Sequence, residues 1–193
     1  MQRLFLSPQS SPDSVAIQAA AERAGWAVER LRSHALPEPL RGVGGAYYGE
    51  PAFGRAVAPA LGITLQDVPA SWLPELPEEY RLREVGLVAE PMSFVVEFRC
   101  FVCRRQAVSV APYARGGQPE KQASASEGMG AAELLLKLLR DRSVGLAPGA
   151  VLDVGLIAQR GWAVVKARPA WSAALHGCNA DRALAAIAAA CGS

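Results

Sequence analysis

The run Leu87-Val88-Ala89-Glu90-Pro91-Met92-Ser93-Phe94-Val95-Val96-Glu97-Phe98-Arg99-Cys100-Phe101-Val102 decides how this chain folds. Leu87–Ala89 is strand-like, and from Val95 to Val102 apolar and polar residues alternate among β-branched and aromatic neighbours, the mark of a strand with two distinct faces. Glu97, Arg99 and Phe101 then share one face while Phe98 takes the other. The break Arg104-Arg105-Gln106 before Ala107–Val110 predicts a hairpin. Further on, Val151–Ile157 and Ala163–Lys166 read as a second antiparallel pair, turning at Gln159-Arg160-Gly161. Between the pairs, Ala114–Gly130 is polar and glycine-containing and is predicted as a mobile loop, followed by an amphipathic helix over Ala131–Leu139. Asp181–Ala190 is predicted as a closing helix.

Upstream, Gln2–Leu6 reads as a strand, Val15–Gly25 as a helix capped from Ser10–Ser14, and Trp26–Leu31 as a second strand. Strand–helix–strand with an apolar helix face predicts an α/β opening. Ala46-Tyr47-Tyr48 reads as a short buried strand and Phe53–Leu61 as a helix stopped by Gly62. Gly42-Val43-Gly44-Gly45 lacks the Lys-Ser/Thr of a phosphate loop and is a plain glycine loop. Three prolines around Trp72, from Pro69 to Pro77, mark a linker. The expected fold class is therefore an α/β N-terminal part over residues 1–77, joined to an α+β part over 78–193 built on an antiparallel sheet.

The 193 residues are half hydrophobic, as in soluble domains, and carry a net charge of only +2, which points to neither nucleic acid nor membrane as a partner. Ser7-Pro8-Gln9 cuts off the apolar start, and no stretch of about 18 apolar residues follows, so a cytoplasmic location is expected. Cys100 and Cys103 form a C-x-x-C within a strand, where residues three apart face opposite ways. Small buried or half-buried thiols are expected there, not a metal knuckle or redox pair.

Three stretches together resemble the ATP-grasp superfamily, in particular its R-two-K clade. Leu87–Val102 is similar to the hinge strand that holds adenine, followed by an acidic-x-Arg-x-Phe strand. Val151-Leu152-Asp153-Val154-Gly155-Leu156-Ile157 resembles the strand supplying the first metal-binding carboxylate. Trp162-Ala163-Val164-Val165-Lys166-Ala167-Arg168-Pro169-Ala170-Trp171 has the register of the strand that in relatives ends in Glu-x-Asn, the remaining metal ligands. Tyr48–Leu73 and Leu76–Val85 resemble the linker into the ATP-grasp core, so residues 1–77 take the place of the region before it. The resemblance implies an ATP-dependent carboxylate–amine, peptide-forming ligase with ATP and Mg²⁺ as cofactors. It implies Ala89 and Glu90 at the adenine, Glu97, Lys166 and Arg168 at the nucleotide and its ions, and Arg99 and Asp153 at the chemistry. Asp153 is the implied metal ligand; Tyr113, Arg115 and Trp171 fall where substrate contacts are expected.

Two departures stand against that chemistry. Lys166 and Arg168 occupy the Glu and Asn positions, which turns the trio with Asp153 from net negative to net positive, and a charged Lys or Arg has no lone pair for a metal. The β-rich subdomain that relatives carry between the equivalents of Val85 and Leu87, with its phosphate-contacting lysine in a Phe-Val-Lys-Pro-like run, is missing from the sequence. The expected protein is thus a shortened, catalytically impaired ATP-grasp ligase relative, a pseudoenzyme. The alternative is a regulatory module binding an anionic small molecule, such as a nucleotide, or a partner: a second copy of itself or a full-length homologue. A third reading is a decayed gene product without a selected function. Individual residues keep two readings at this stage. Arg99 binds phosphate or pairs with Glu97; Asp153 pairs with Lys166 or Arg168 across the hairpin, or holds metal; Trp171 packs the lobe or stacks on a ligand. His34 and His176 are far apart in sequence and neither is assigned a catalytic role.

Overall fold

A computed structural model of the chain describes residues 2–81 and 94–192. The hinge stretch Leu87–Glu90 and the short junction at Val85–Leu87 lie outside the described residues. In chain order the elements are β1 (Arg3–Leu6), α1 (Pro12–Arg23), β2 (Ala27–Arg30), β3 (Ala46–Tyr48), α2 (Pro51–Leu61), β4 (Thr64–Leu65) and α3 (Trp72–Glu75). They continue with β5 (Phe94–Cys103), β6 (Gln106–Arg115), β7 (Gln118–Pro119), α4 (Ala125–Arg140), β8 (Gly149–Ile157), β9 (Gly161–Pro169), α5 (Ala180–Ala189) and β10 (Cys191–Gly192).

The first lobe is the expected α/β unit, a parallel sheet in the order β2-β1-β3. Ser11 caps α1 by accepting from the Ser14 amide, and Gly62 ends α2 at φ 73°, a left-handed stop that a Cβ would strain. Two neighbours on opposite sides of β1 make its carboxyl end a topological switch point, the place where open α/β sheets usually form a crevice.

The second lobe is an antiparallel sheet in the order β7-β6-β5-β8-β9, with β10 pairing separately with β4. One face, through Val96, Phe98, Cys100, Val102, Leu152, Val154 and Val164, packs on Ala131, Leu134, Leu135 and Leu138 of α4. Removing each of the Val, Leu and Phe side chains from water contributes roughly 1.5–3 kcal/mol. The opposite face, through Phe101 and Val151, joins the core of the first lobe together with Trp171, Ala183, Ala186 and Ile187. The C-terminal helix α5 therefore cements the two lobes. None of the described helices is long and apolar enough to cross a membrane.

One segment differs from its sequence expectation. Residues 114–130 are not a loop throughout: β6 runs to Arg115, β7 follows, and α4 begins at Ala125. Ser124 and Glu127 form a reciprocal capping box that starts the helix a turn and a half before the apolar stripe. Gly128 and Gly130, weak helix formers, hide that start from a reading of hydrophobic periodicity.

Candidate functional site

The site is built where the two lobes meet. After β9 the chain does not continue the sheet but crosses its inner face from β9 toward β6, over residues 170–178. Each step of the crossing is tied down. The Gly49 amide donates to Trp171 O at 3.1 Å, Tyr48 Oη donates to Ala173 O at 3.0 Å, and the Leu175 amide donates to Asp13 Oδ2 at 3.0 Å. At the far side the Asn179 amide donates to Ser109 Oγ of β6 at 2.8 Å. The crossing thus seals the switch-point crevice between β1 and β3. Gly49, at φ 150°, takes a backbone that L side chains rarely adopt, and a Cβ there would run into Ser7.

At the centre of the covered face, β5 and β8 set Arg99 directly opposite Asp153. Nε and Nη2 of Arg99 donate to the two carboxylate oxygens at 2.8 and 2.7 Å, and Nη1 donates to Ala174 O at 2.8 Å. The side chains are 2% and 3% exposed. Burial alone would lower the Arg99 pKa, but the hydrogen bonds and charge of Asp153 more than offset it, and the guanidinium is held above its usual value. The bidentate fork fits a carboxylate far better than a point charge would. The reading in which Asp153 pairs with Lys166 or Arg168, and the one in which Arg99 pairs with Glu97, are both corrected here. The reason is position: β8 lies between β5 and the edge strand β9, and the inner neighbour supplies a planar fork inside the core.

Tyr113 covers this pair. Its ring lies 5.3 Å from the Arg99 guanidinium, and its hydroxyl donates to Glu97 Oε2 at 2.7 Å. Burial, then the charge of Asp153 and the bond to Glu97, push the phenol well above its usual pKa, so it stays a donor. On Tyr113 rests the ring of His176, with centroids 5.1 Å apart. The imidazole is exposed, yet burial of part of its surface and the positive charge of Arg99 lower its pKa below the usual value.

Lys166 stands opposite Asp153 on its other side and Arg168 stands opposite Val151, so both project from the face that carries Arg99. Both are exposed, and neither side chain makes a hydrogen bond or ion pair among the described residues. A bulge at the Asp153/Val154 step restores their register after Val165. Asp153 therefore has an arginine and a lysine as its two cross-strand neighbours.

The remaining candidates separate. Glu97 is half-buried and held by Tyr113. Arg115 turns outward to Glu127, with both nitrogen–oxygen distances at 2.9 Å, and so belongs to the start of α4. Trp171 is wholly buried; its Nε1 donates to Gln66 O at 3.0 Å, and its ring sits 5.4 Å from the Arg55 guanidinium. Ala89 and Glu90 lie outside the described residues. Sequence reasoning named His176 without assigning it a role, and did not single out Asp13 or the Ala174 carbonyl, which hold the crossing and the Arg99 guanidinium. Only the pair His176-Gly177, both at positive φ, hints at a shaped loop, and a lone His-Gly is too common to signal one. On the opposite face, a cleft of about 380 Å³ opens between Trp72, Leu146, Leu152 and Ala167.

The chain belongs to the ATP-grasp superfamily: the family model of the ATP-grasp domain, R-two-K clade family 2, matches residues 69–186. Among solved structures it is similar to the macrocyclase MdnB from Microcystis aeruginosa MRC, at 10% identity and a TM-score of 0.39, covering 86% of this chain and 88% of that one. No curated protein sequence matches it.

ATP-grasp proteins generally use ATP and Mg²⁺, and the donors at this site do not fit that ion. Magnesium takes oxygen ligands, usually one or two protein carboxylates beside substrate phosphates and waters. Both oxygens of Asp153 accept from Arg99, and its other cross-strand neighbour is a lysine. Among the described residues, no group of three His, Cys, Asp or Glu side chains could hold a metal.

Proposed function

We propose that this chain is an ATP-grasp relative of the carboxylate–amine ligases that holds an anionic small molecule on fixed cations and does not transfer a phosphoryl group through magnesium. The observation that carries the reading is the placement of Asp153 between Arg99 and Lys166, with Arg168 on the same face. Two unit charges about 4 Å apart repel by roughly 4 kcal/mol at an effective dielectric of about 20. A divalent ion beside these residues would meet that repulsion more than once. The same field attracts a phosphate or carboxylate, and Arg168 offers a fork suited to either. The short Val85–Leu87 junction, without the phosphate-contacting lysine of relatives, supports the loss of transfer chemistry.

Calorimetric titration with ADP and ATP, in EDTA and in magnesium, tests this. Binding that persists in EDTA and is lost in Lys166→Glu is expected. Binding that requires magnesium, with release of phosphate from ATP, would overturn the reading.

A further inference from the structure

The cleft on the sheet face away from Arg99 is walled by two segments far apart in sequence. On one side stands α3, led by Trp72; on the other runs the loop joining α4 to β8, through Leu146. Trp72 Nε1 donates to Gly145 O and ties the two walls together. The loop is fixed in turn by Arg105, from the turn between β5 and β6. Its guanidinium donates to Leu139 O and Val144 O at 2.9 Å each, and to Asp141 O. The cleft is therefore formed in advance of any ligand, as small-molecule sites usually are.

Ala150 and Leu152 of β8 make its floor, with Ala167, the partner of Leu152 on β9. Alanine at 150 and 167 leaves room where the same strands elsewhere carry Val151, Val154, Val164 and Val165. The resulting volume of about 380 Å³ lies within the roughly 300–1,000 Å³ of small-molecule sites. Lys166 and Arg168 flank Ala167 along β9 and so take the opposite face. The cleft is separate from the anion site.

Two charged side chains line the cleft, Asp67 and Glu75, and both are carboxylates. Arg55 takes both oxygens of Asp67 at 3.2 Å. Of the cations near Glu75 in sequence or space, Arg81 donates to Pro74 O and Lys137 pairs with Glu79. The Glu75 carboxylate is exposed and has no hydrogen-bond or ion-pair partner among the described residues. An apolar hollow with one unpaired carboxylate at its rim is complementary to an apolar body that carries one positive charge.

We infer that this cleft binds a protonated organic amine, with its apolar part against Trp72 and Leu152 and its ammonium at Glu75. The inference shares no residue with the anion reading and stands or falls apart from it. Because Glu75 is exposed, its pull is screened and amounts to about fivefold in affinity.

The test is a nuclear magnetic resonance titration that follows the indole N–H of Trp72, assigned through Trp72→Phe. The probe is phenethylamine, protonated at neutral pH. The comparisons are 2-phenylethanol and 3-phenylpropionate, which carry the same ring with no charge and with a negative one. Phenethylamine is expected to shift the Trp72 signal and to bind about fivefold more tightly than the alcohol, with the carboxylate weakest. In Glu75→Gln the amine is expected to fall to the affinity of the alcohol, whose own binding is unchanged. Ala167→Leu fills the floor and is expected to abolish both, with its melting temperature checking that it folds; Glu75→Gln, at an exposed position, decides the matter without it. A Trp72 signal that phenethylamine does not move overturns the inference. So do equal affinity for the alcohol, tighter binding of the carboxylate, and amine binding unchanged in Glu75→Gln. Shifts of the same signal on diluting the protein alone would place a second copy of the chain in the cleft and overturn it as well.

Discussion

The guanidinium of Arg99 takes both oxygens of Asp153, and it does so inside the sheet, from the adjacent strand, with almost no exposure of either side chain. Lys166 of β9 is the cross-strand neighbour of Asp153 on its other side, so this carboxylate has an arginine and a lysine on the two adjoining strands.

Buried pairs of this kind are weak sources of net stability but cannot be broken cheaply, because one partner's removal strands the other's charge. Arg99→Met is expected to destabilise the fold by about 3–5 kcal/mol in urea unfolding. The double variant Arg99→Met/Asp153→Leu is expected to recover much of that loss. Losses that simply add would show that the two charges do not act as a pair.

Glu127 makes the start of α4 sensitive to acid. The Arg115 hydrogen bonds and the Ser124 amide and hydroxyl lower its carboxyl to about 2. A carboxyl with a depressed folded pKa binds protons more readily when unfolded, so its stabilisation is complete above about 4.5. It is lost as pH falls toward 2. Melting temperature followed between these values should fall less steeply in Glu127→Gln than in wild type; parallel curves would refute the role.

Thiol reactivity should follow burial. Burial pushes Cys100 and Cys178 above their usual pKa, and Cys191 is pushed up to about 11 by burial. Cys103 is half-buried at the end of β5. With a thiol-specific reagent near neutral pH, Cys103 is expected to react first and Cys100 only on unfolding. Rapid labelling of Cys100 would contradict the packing of β5 against α4.

Much of this architecture was legible in the residues. The period-2 runs around Val96 and Val154, the breaks at Arg104-Arg105 and Gln159-Arg160-Gly161, and the stop at Gly62 placed both hairpins and the first lobe correctly. Parity put Glu97 with Arg99 on one face of their strand and Lys166 with Arg168 on one face of theirs, but only the registers of β5, β8 and β9 bring these faces to one side of the sheet. Partner choice could not be read from parity either. Asp153 has Arg99 on one side and Lys166 on the other, and only the strand order shows which neighbour is inside and which is at the edge. The 170–178 crossing was equally hidden, because it forms no long regular element and is fixed by bonds to Asp13, Tyr48 and Gly49, more than a hundred residues away.

The most direct measurement is of a divalent ion itself. Manganese(II) accepts the oxygen ligands that suit magnesium and is read by electron paramagnetic resonance. Titrated into the protein with ADP, it is expected to give the spectrum of manganese and nucleotide alone, while ADP binds equally well without it. A tight, stoichiometric manganese site on the wild-type protein, lost in Asp153→Asn, would contradict the central claim that cations of the chain stand where the family holds its metals.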